Sequence, residues 1–153
     1  MKAAVLGSSG YTGMLLLRIL SSHPQISRVL PVSSSKAGEP LKDHDPGLAD
    51  CLKGKTSDSR FISIEEAIEQ KPDAVISALP HLASADLCGR FLDNDAVSVV
   101  IDLSADFRLK QAEDFSHSYG HEWPRADLQN EAVYGLADLF EKEIQKDRLV
   151  ANP

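Results

Sequence analysis

Cysteine is nearly missing from this sequence: Cys51 and Cys88 are the only two in 153 residues. Two cysteines make no disulfide framework, and that usage fits a reducing, cytoplasmic compartment. Long apolar runs are also lacking, so no stretch reaches the length of a membrane span. The apolar run after Gly13 is short and sits behind a glycine turn, unlike a signal peptide. Positive charge is scarce, with 16 Lys and Arg against 23 Asp and Glu and a net charge of −7. A nucleic-acid surface, with its clustered cations, is thereby excluded. Any anionic ligand must be held by local dipoles and a few placed cations. What is there, 42% hydrophobic and 25% charged residues, suits one domain with a proper core.

The stretch that organises the chain lies at its start. Ala3 to Leu6 is a short apolar run of the kind found in a strand buried on both faces. Gly7, Gly10 and Gly13 then punctuate a turn, and Leu16, Leu17 and Leu20 follow at helical spacing. Strand, glycine turn, helix is the context of a phosphate cradle. The bare turn admits backbone N–H groups to a pyrophosphate, and the helix N-terminus adds partial positive charge. The spacing is Gly-x-x-Gly-x-x-Gly rather than the commoner Gly-x-Gly-x-x-Gly. Ser8, Ser9 and Thr12 add hydroxyls able to donate to phosphate oxygens, and Tyr11 completes the turn. The plainer alternative is a glycine-rich connection with no ligand.

Arg28 to Val32 reads as a second strand, ending in Ser33, Ser34, Ser35 and Lys36. In dinucleotide sites an acid about twenty residues past the glycine turn binds the ribose 2′-hydroxyl and repels a 2′-phosphate. Here there are three serines and a cation, and the first acid is Glu39. That combination points to NADP rather than NAD; a plain polar turn is the alternative. Residues 37–60, rich in Gly and Pro and without periodicity, read as a long surface excursion with a turn of helix or strand near Leu48 to Leu52. Asp43, His44 and Asp45 read as a solvated tip, and Cys51 as structural.

Ser63-x-x-Glu66 is a capping box opening a helix that Lys71-Pro72 ends. Asp73 to Leu79 reads as a buried strand with Pro80 and His81 at its carboxyl end. A helix over Ala83–Leu92 puts Cys88 on its core face. Ala96 to Leu103 is the next strand, delivering Asp102, Ser104, Asp106 and Arg108 at its end. A helix over Gln111–Gly120 would bring His117 and His121 to metal-binding spacing, but nothing suggests a third ligand. Ala132 to Leu136 reads as a strand or turn and Arg148 to Ala151 as a final strand, with a helix from Asp138 between them. Helical and strand-like runs alternate, so the expected fold is α/β: a Rossmann-like, doubly wound, mainly parallel sheet with helices on both faces. Ligands in such sheets bind outside the carboxyl ends of the strands. Gly7 to Gly13, Ser33 to Lys36, Ala78 to His81 and Leu103 to Arg108 all fall there.

These residues, with Val133-Tyr134-Gly135-Leu136 and Ala151-Asn152-Pro153, resemble N-acetyl-gamma-glutamyl-phosphate reductase of the semialdehyde dehydrogenase superfamily. The resemblance covers the whole chain and the N-terminal part of the family's length. It implies that 1–153 is an NAD(P)-binding domain and that the catalytic domain is absent. It implies NADPH-dependent reduction of N-acetylglutamyl phosphate, a small-molecule substrate, in arginine biosynthesis, and a homo-oligomer at full length. The family's nucleophilic cysteine follows Asn-Pro in a Gly-Cys pair, so it is expected beyond Pro153, and the fragment is expected to be inactive. Cofactor contacts are implied for the Gly7–Gly13 turn, Ser33 to Lys36, Ala78, Leu79, Pro80, His81 and Ser104. Arg108 is implied at the substrate phosphate, with a salt bridge to Asp102 or Asp106 as its alternative. Asn152 is implied in orienting the nucleophile's loop. Two alternatives stand: reduction of a carrier-linked aminoadipyl phosphate in lysine synthesis, and a non-catalytic dinucleotide-binding regulator.

Overall fold

A computed structural model describes residues 1–153. Its centre is β1 (Lys2–Leu6), whose Ala3 to Leu6 are fully buried. Successive side chains of a strand point to opposite faces, and β1 shows it: Ala4 and Leu6 join one core cluster, Ala3 and Val5 the other. Both faces of the sheet are therefore covered, and an apolar run without period-two alternation is the expected sequence for such a strand.

The remaining strands are β2 (Arg28–Val32), β3 (Ala74–Ser77), β4 (Val99–Asp102), β5 (Val133–Tyr134) and β6 (Leu149–Ala151). They form one six-stranded, all-parallel sheet in the order β2-β1-β3-β4-β6-β5. The winding reverses at β1, with β2 on one side and β3 and β4 on the other. The carboxyl ends of β1 and β3 thus face a switch point, where open α/β sheets bind ligands. This is the doubly wound fold expected from the sequence.

On one face lie α1 (Tyr11–Ser22), α2 (Leu41–His44) and α3 (Pro46–Cys51), packed on Ala3, Val5, Val29 and Ile76. The other face carries α4 (Ile64–Glu69), α5 (Ser84–Leu92) and α7 (Ala126–Gln129). Helix α6 (Ala112–Tyr119) buries only Phe115, and α8 (Ala137–Ile144) buries no residue at all. Helix α1 has no side-chain cap, so its packing holds it. Burial of Leu17 and Leu20 contributes about 1.5–3 kcal/mol each. The capping box on α4 is present in full: Ser63 Oγ accepts from Glu66 N–H, and the Glu66 carboxylate accepts from Ser63 N–H.

Residues 37–60 are not a surface excursion. Leu41, Leu48 and Leu52, with Phe61 just beyond, are at most 1% exposed and cover one face of the sheet. Two helices of four and six residues are too short to show a 3.6-residue period, which is why the segment looks irregular as a sequence. No helix is long and apolar enough to cross a membrane.

Candidate functional site

The glycine turn is built from missing atoms. Gly7 has a φ of +71°, and a Cβ there would lie 2.8 Å from the Ala78 carbonyl oxygen. A Cβ on Gly13 would lie 2.3 Å from Gly7 O and 2.6 Å from Ser8 Cα, so only glycine lets the first turn of α1 close onto the strand end. Gly10 differs: its Cβ would meet only Gly7 O at 3.3 Å, and its other side is open to solvent. Fold requires the first and third glycines, while the second is the one that stands open to solvent. Met14 N–H is the first of α1 to find a backbone acceptor, in Gly10 O at 2.9 Å. The N–H groups of Ser9, Tyr11, Thr12 and Gly13 therefore have no acceptor within the chain, and the first turn carries no acid. Free donors and the positive end of a helix dipole make an anion site.

The hydroxyls of the turn divide. Ser8 is fully buried, and both its N–H and its Oγ donate to Val32 O, at 3.0 and 2.8 Å. It ties the turn to β2 and is not free to hold a phosphate, which corrects the sequence expectation. Ser9 Oγ meets Ser33 Oγ at 2.8 Å, and Lys36 N–H donates to Ser33 Oγ at 3.3 Å. The two strand ends thus share one hydroxyl-lined ledge, with Ser34 and Ser35 exposed beside it. Thr12 and Tyr11 face solvent. Lys36 pairs with Glu39 at 3.2 Å, so its charge is balanced within the loop. His44, read from the sequence as part of a solvated tip, places Nε2 3.0 Å from Ser9 O. No feature of spacing links residue 44 to residue 9.

Hydrogen bonds continue beyond the strands on the other side of the switch point. Ala78 N–H donates to Leu6 O, Leu103 N–H to Ser77 O, and Asn152 N–H to Asp102 O, at 2.8–3.0 Å. The ends of β1, β3, β4 and β6 are held level, and Thr12, Ala78, Leu79, Leu103, Asn152 and Pro153 line a cleft of about 190 Å³ between them. Pro80 and His81 are exposed at its lip, where the His81 ring lies 6.0 Å from that of Tyr119. The next residue, Leu82, has a φ of 68°. Asp106 holds this turn, accepting from Leu82 N–H at 2.6 Å and Ala85 N–H at 2.9 Å.

Beneath the cleft the polar groups turn inward. Asp102 is fully buried and accepts from Ser84 Oγ and Ser104 Oγ, each at 2.5 Å, and from Ser104 N–H at 3.1 Å. Burial raises its carboxyl pKa, against the lowering effect of these hydrogen bonds. Ser104, expected at the cofactor, is 5% exposed and closes this network, its oxygen also accepting from Asp106 N–H. Arg108 pairs with neither acid. Its Nε donates to Asn152 O at 2.9 Å and its Nη2 to Leu103 O at 2.8 Å. A half-buried guanidinium thus clamps the ends of β4 and β6 and leaves Nη1 free of partners.

Residues 2–147 match the profile of a family described as the semialdehyde dehydrogenase NAD-binding domain. The chain belongs to that family. It is 38% identical to an N-acetyl-gamma-glutamyl-phosphate reductase of Afipia carboxidovorans, over 99% of this chain and 42% of the relative. It is 40% identical to a [LysW]-L-2-aminoadipate/[LysW]-L-glutamate phosphate reductase of Sulfurisphaera tokodaii, over 99% of this chain and 42% of the relative. An aspartate semialdehyde dehydrogenase II from Vibrio cholerae, crystallised with ASA, has the same fold, with a TM-score of 0.64 at 16% identity; 99% of this chain covers 41% of that one. The chain spans less than half the length of these relatives.

The two thiols of this semialdehyde dehydrogenase domain sit in opposite surroundings. Cys88 is buried under the cleft, and desolvation, with the Asp102 charge second, pushes it up to about 12. A thiol so held is not a nucleophile at neutral pH. Cys51 is exposed on α3, with Arg18 Nη1 at 3.8 Å. His117 and His121 do not share a helix, because α6 ends at Tyr119 and Gly120 turns left-handed with a φ of 71°. No group of three metal-ligating side chains occurs anywhere in the chain.

Proposed function

We propose that this chain is the NADP-binding part of a reductase acting on N-acetylglutamyl phosphate. The observation that carries the reading is the Gly7–Gly13 turn, whose free N–H donors open past Gly10 beside a β2 end with no acid on its ledge. In this reading the turn holds the pyrophosphate through the N–H groups of Ser9, Tyr11, Thr12 and Gly13, and Ser33 to Lys36 surround the adenosine 2′-phosphate. Ala78, Leu79, Pro80 and His81 line the cleft for the nicotinamide. Bound there, NADPH supplies a hydride. In this reading the nucleophilic thiolate comes from outside residues 1–153, since Cys88 is buried and Cys51 lies on α3, away from the residues that line the cleft. Attack on the acyl phosphate expels phosphate and leaves a thioester, a good hydride acceptor, so one hard displacement becomes two steps. Arg108 turns its free Nη1 edge toward the substrate phosphate, and Asn152, hydrogen-bonded to the end of β4, positions the segment that bears the nucleophile.

The comparable similarity, 40% against 38%, to a reductase named for LysW-linked substrates favours one second reading, a carrier-linked acyl phosphate. An acidic carrier would need a basic docking face, and the net charge of −7 does not supply it. Calorimetric titration of this chain with NADP⁺ and then NAD⁺ tests the proposal. Tighter binding of NADP⁺ is expected. A preference for NAD⁺ would overturn the 2′-phosphate assignment, and no binding of either by folded protein would overturn the cradle.

A further inference from the structure

Four residues other than glycine have a positive φ: Ser59, Lys71, Leu82 and Arg125. Of these, Leu82 belongs to the segment that borders the cleft. That segment leaves β3 beside the glycine turn, where Ala78 O and Leu79 Cδ2 stand 2.8 and 3.2 Å from the place a Gly7 Cβ would take. Ala78 and Leu79 line the cleft, Pro80 and His81 are exposed past it, and Leu82 turns left-handed just before α5. A leucine in that conformation is strained, and such a residue persists only where its surroundings over-determine it.

The loop is tied at its base by the Ser77 and Ser84 hydroxyls, 2.6 Å apart. Its crest is tied by Asp106, whose Oδ1 accepts from Leu82 N–H at 2.6 Å while Oδ2 accepts from Ala85 N–H at 2.9 Å. The aspartate is itself anchored away from the loop. It is fully buried, its N–H donates to Ser104 Oγ at 3.1 Å, and its carbonyl accepts from Gln129 Nε2 at 2.7 Å. We propose that Asp106 is a positioning residue for the nicotinamide. By pinning Leu82 in its left-handed turn it sets the course of Ala78 to His81, the wall against which the ring lies. Both carboxylate oxygens face the loop, so Asp106 acts through that backbone and not by touching the cofactor. The inference rests on the dinucleotide reading and deepens it, because it gives the nicotinamide half a holder separate from the glycine turn.

The test is a pair of titrations of this chain, with NADP⁺ and with 2′-phospho-ADP-ribose, which is NADP⁺ without its nicotinamide ring. The ratio of the two affinities reads the contribution of that ring. Asp106→Asn keeps the shape but offers one acceptor oxygen to two N–H donors. It is expected to lower NADP⁺ affinity about tenfold, the order of one hydrogen bond to a charged group, and to leave the fragment's affinity unchanged. Adding Leu82→Gly, which turns left-handed without help, is expected to restore most of the loss. Leu82→Val reaches the same point with the aspartate left in place, since a branched side chain disfavours the turn still more. Leu82 is 37% exposed, so that variant is expected to fold, and it carries the test if Asp106→Asn does not. An unchanged ratio, equal loss of both ligands, or no rescue by Leu82→Gly would make Asp106 a brace for α5 and overturn the proposal. If the unsubstituted chain bound NADP⁺ and the fragment equally, the nicotinamide assignment of the cleft would fail first, and the proposal with it.

Discussion

The two sides of the switch point are built on opposite principles. At the end of β1 the site consists of atoms left out: three glycines, free N–H donors, and one hydroxyl turned inward as a tether. At the end of β4 it consists of atoms packed in: a buried carboxylate, three serines and a thiol, none of them presented to the cleft. The first arrangement leaves a ligand to complete it. The second is already satisfied and serves as a floor that levels the strand ends. Polar residues at the carboxyl edge of a parallel sheet are thus of two kinds, and only one of them is a binding surface.

The sharpest way to break this contrast is through the glycines. Gly13→Ala puts a methyl group within 2.3 Å of Gly7 O and is expected to destabilise the fold by about 1–3 kcal/mol, as overpacking does, read as a lower midpoint in urea. Gly10→Val meets one backbone oxygen, Gly7 O at 3.3 Å, and is expected to cost less stability than Gly13→Ala while losing nucleotide binding. If both variants unfolded alike, the distinction between the glycines would fall. Next in size is Asp102→Ala, which removes the acceptor of the Ser104 hydroxyl and leaves Ser84 Oγ with Ser77 Oγ as its close partner, and is expected to cost about 1–3 kcal/mol. Cofactor affinity should change little if this network is only a floor.

A smaller effect is expected at Glu66, which Arg60 and the Ser63 N–H hold down to about 2. A depressed carboxylate contributes stability that is complete above its unfolded pKa and lost as pH falls through the folded value. Glu66→Gln should therefore lower the melting temperature slightly at neutral pH, and the difference should shrink below about pH 4 and vanish near about pH 2. The last prediction leaves stability untouched: a thiol reagent should label Cys51 at once and Cys88 only on unfolding. Rapid labelling of both would show that the floor opens.

Where a feature is carried by backbone spacing it was legible in advance. The glycine turn, the apolar strands and the Ser63–Glu66 capping box all stand where their residues predict. Where it depends on the direction a side chain takes, it was not. Ser8 and Ser9 are neighbours of one type, yet one faces β2 and the other the ledge. Ser104 and Asp106 look like rim residues and face inward, while Arg108 prefers two carbonyls to two acids. His44 and Tyr119 reach the rim from elements whose arrival there is a matter of tertiary packing. The core residues Leu41, Leu48 and Leu52 were hidden because helices of one or two turns carry no readable period.

The strand order also sets a timetable. Of the six strands in β2-β1-β3-β4-β6-β5, the earliest in the chain is interior, so its partners arrive from residues 28 and 74 onward on its two sides. At the far edge the order is inverted, because β5 pairs only with β6, which follows it in the chain. A nascent chain emerging from the ribosome must carry Val133 and Tyr134 unpaired until Leu149 to Ala151 appear. With no hairpin anywhere in the sheet, every pairing waits for a crossover, the slow class of assembly. Two residues of edge strand are a short template to leave exposed during that wait, and a short edge recruits few wrong partners.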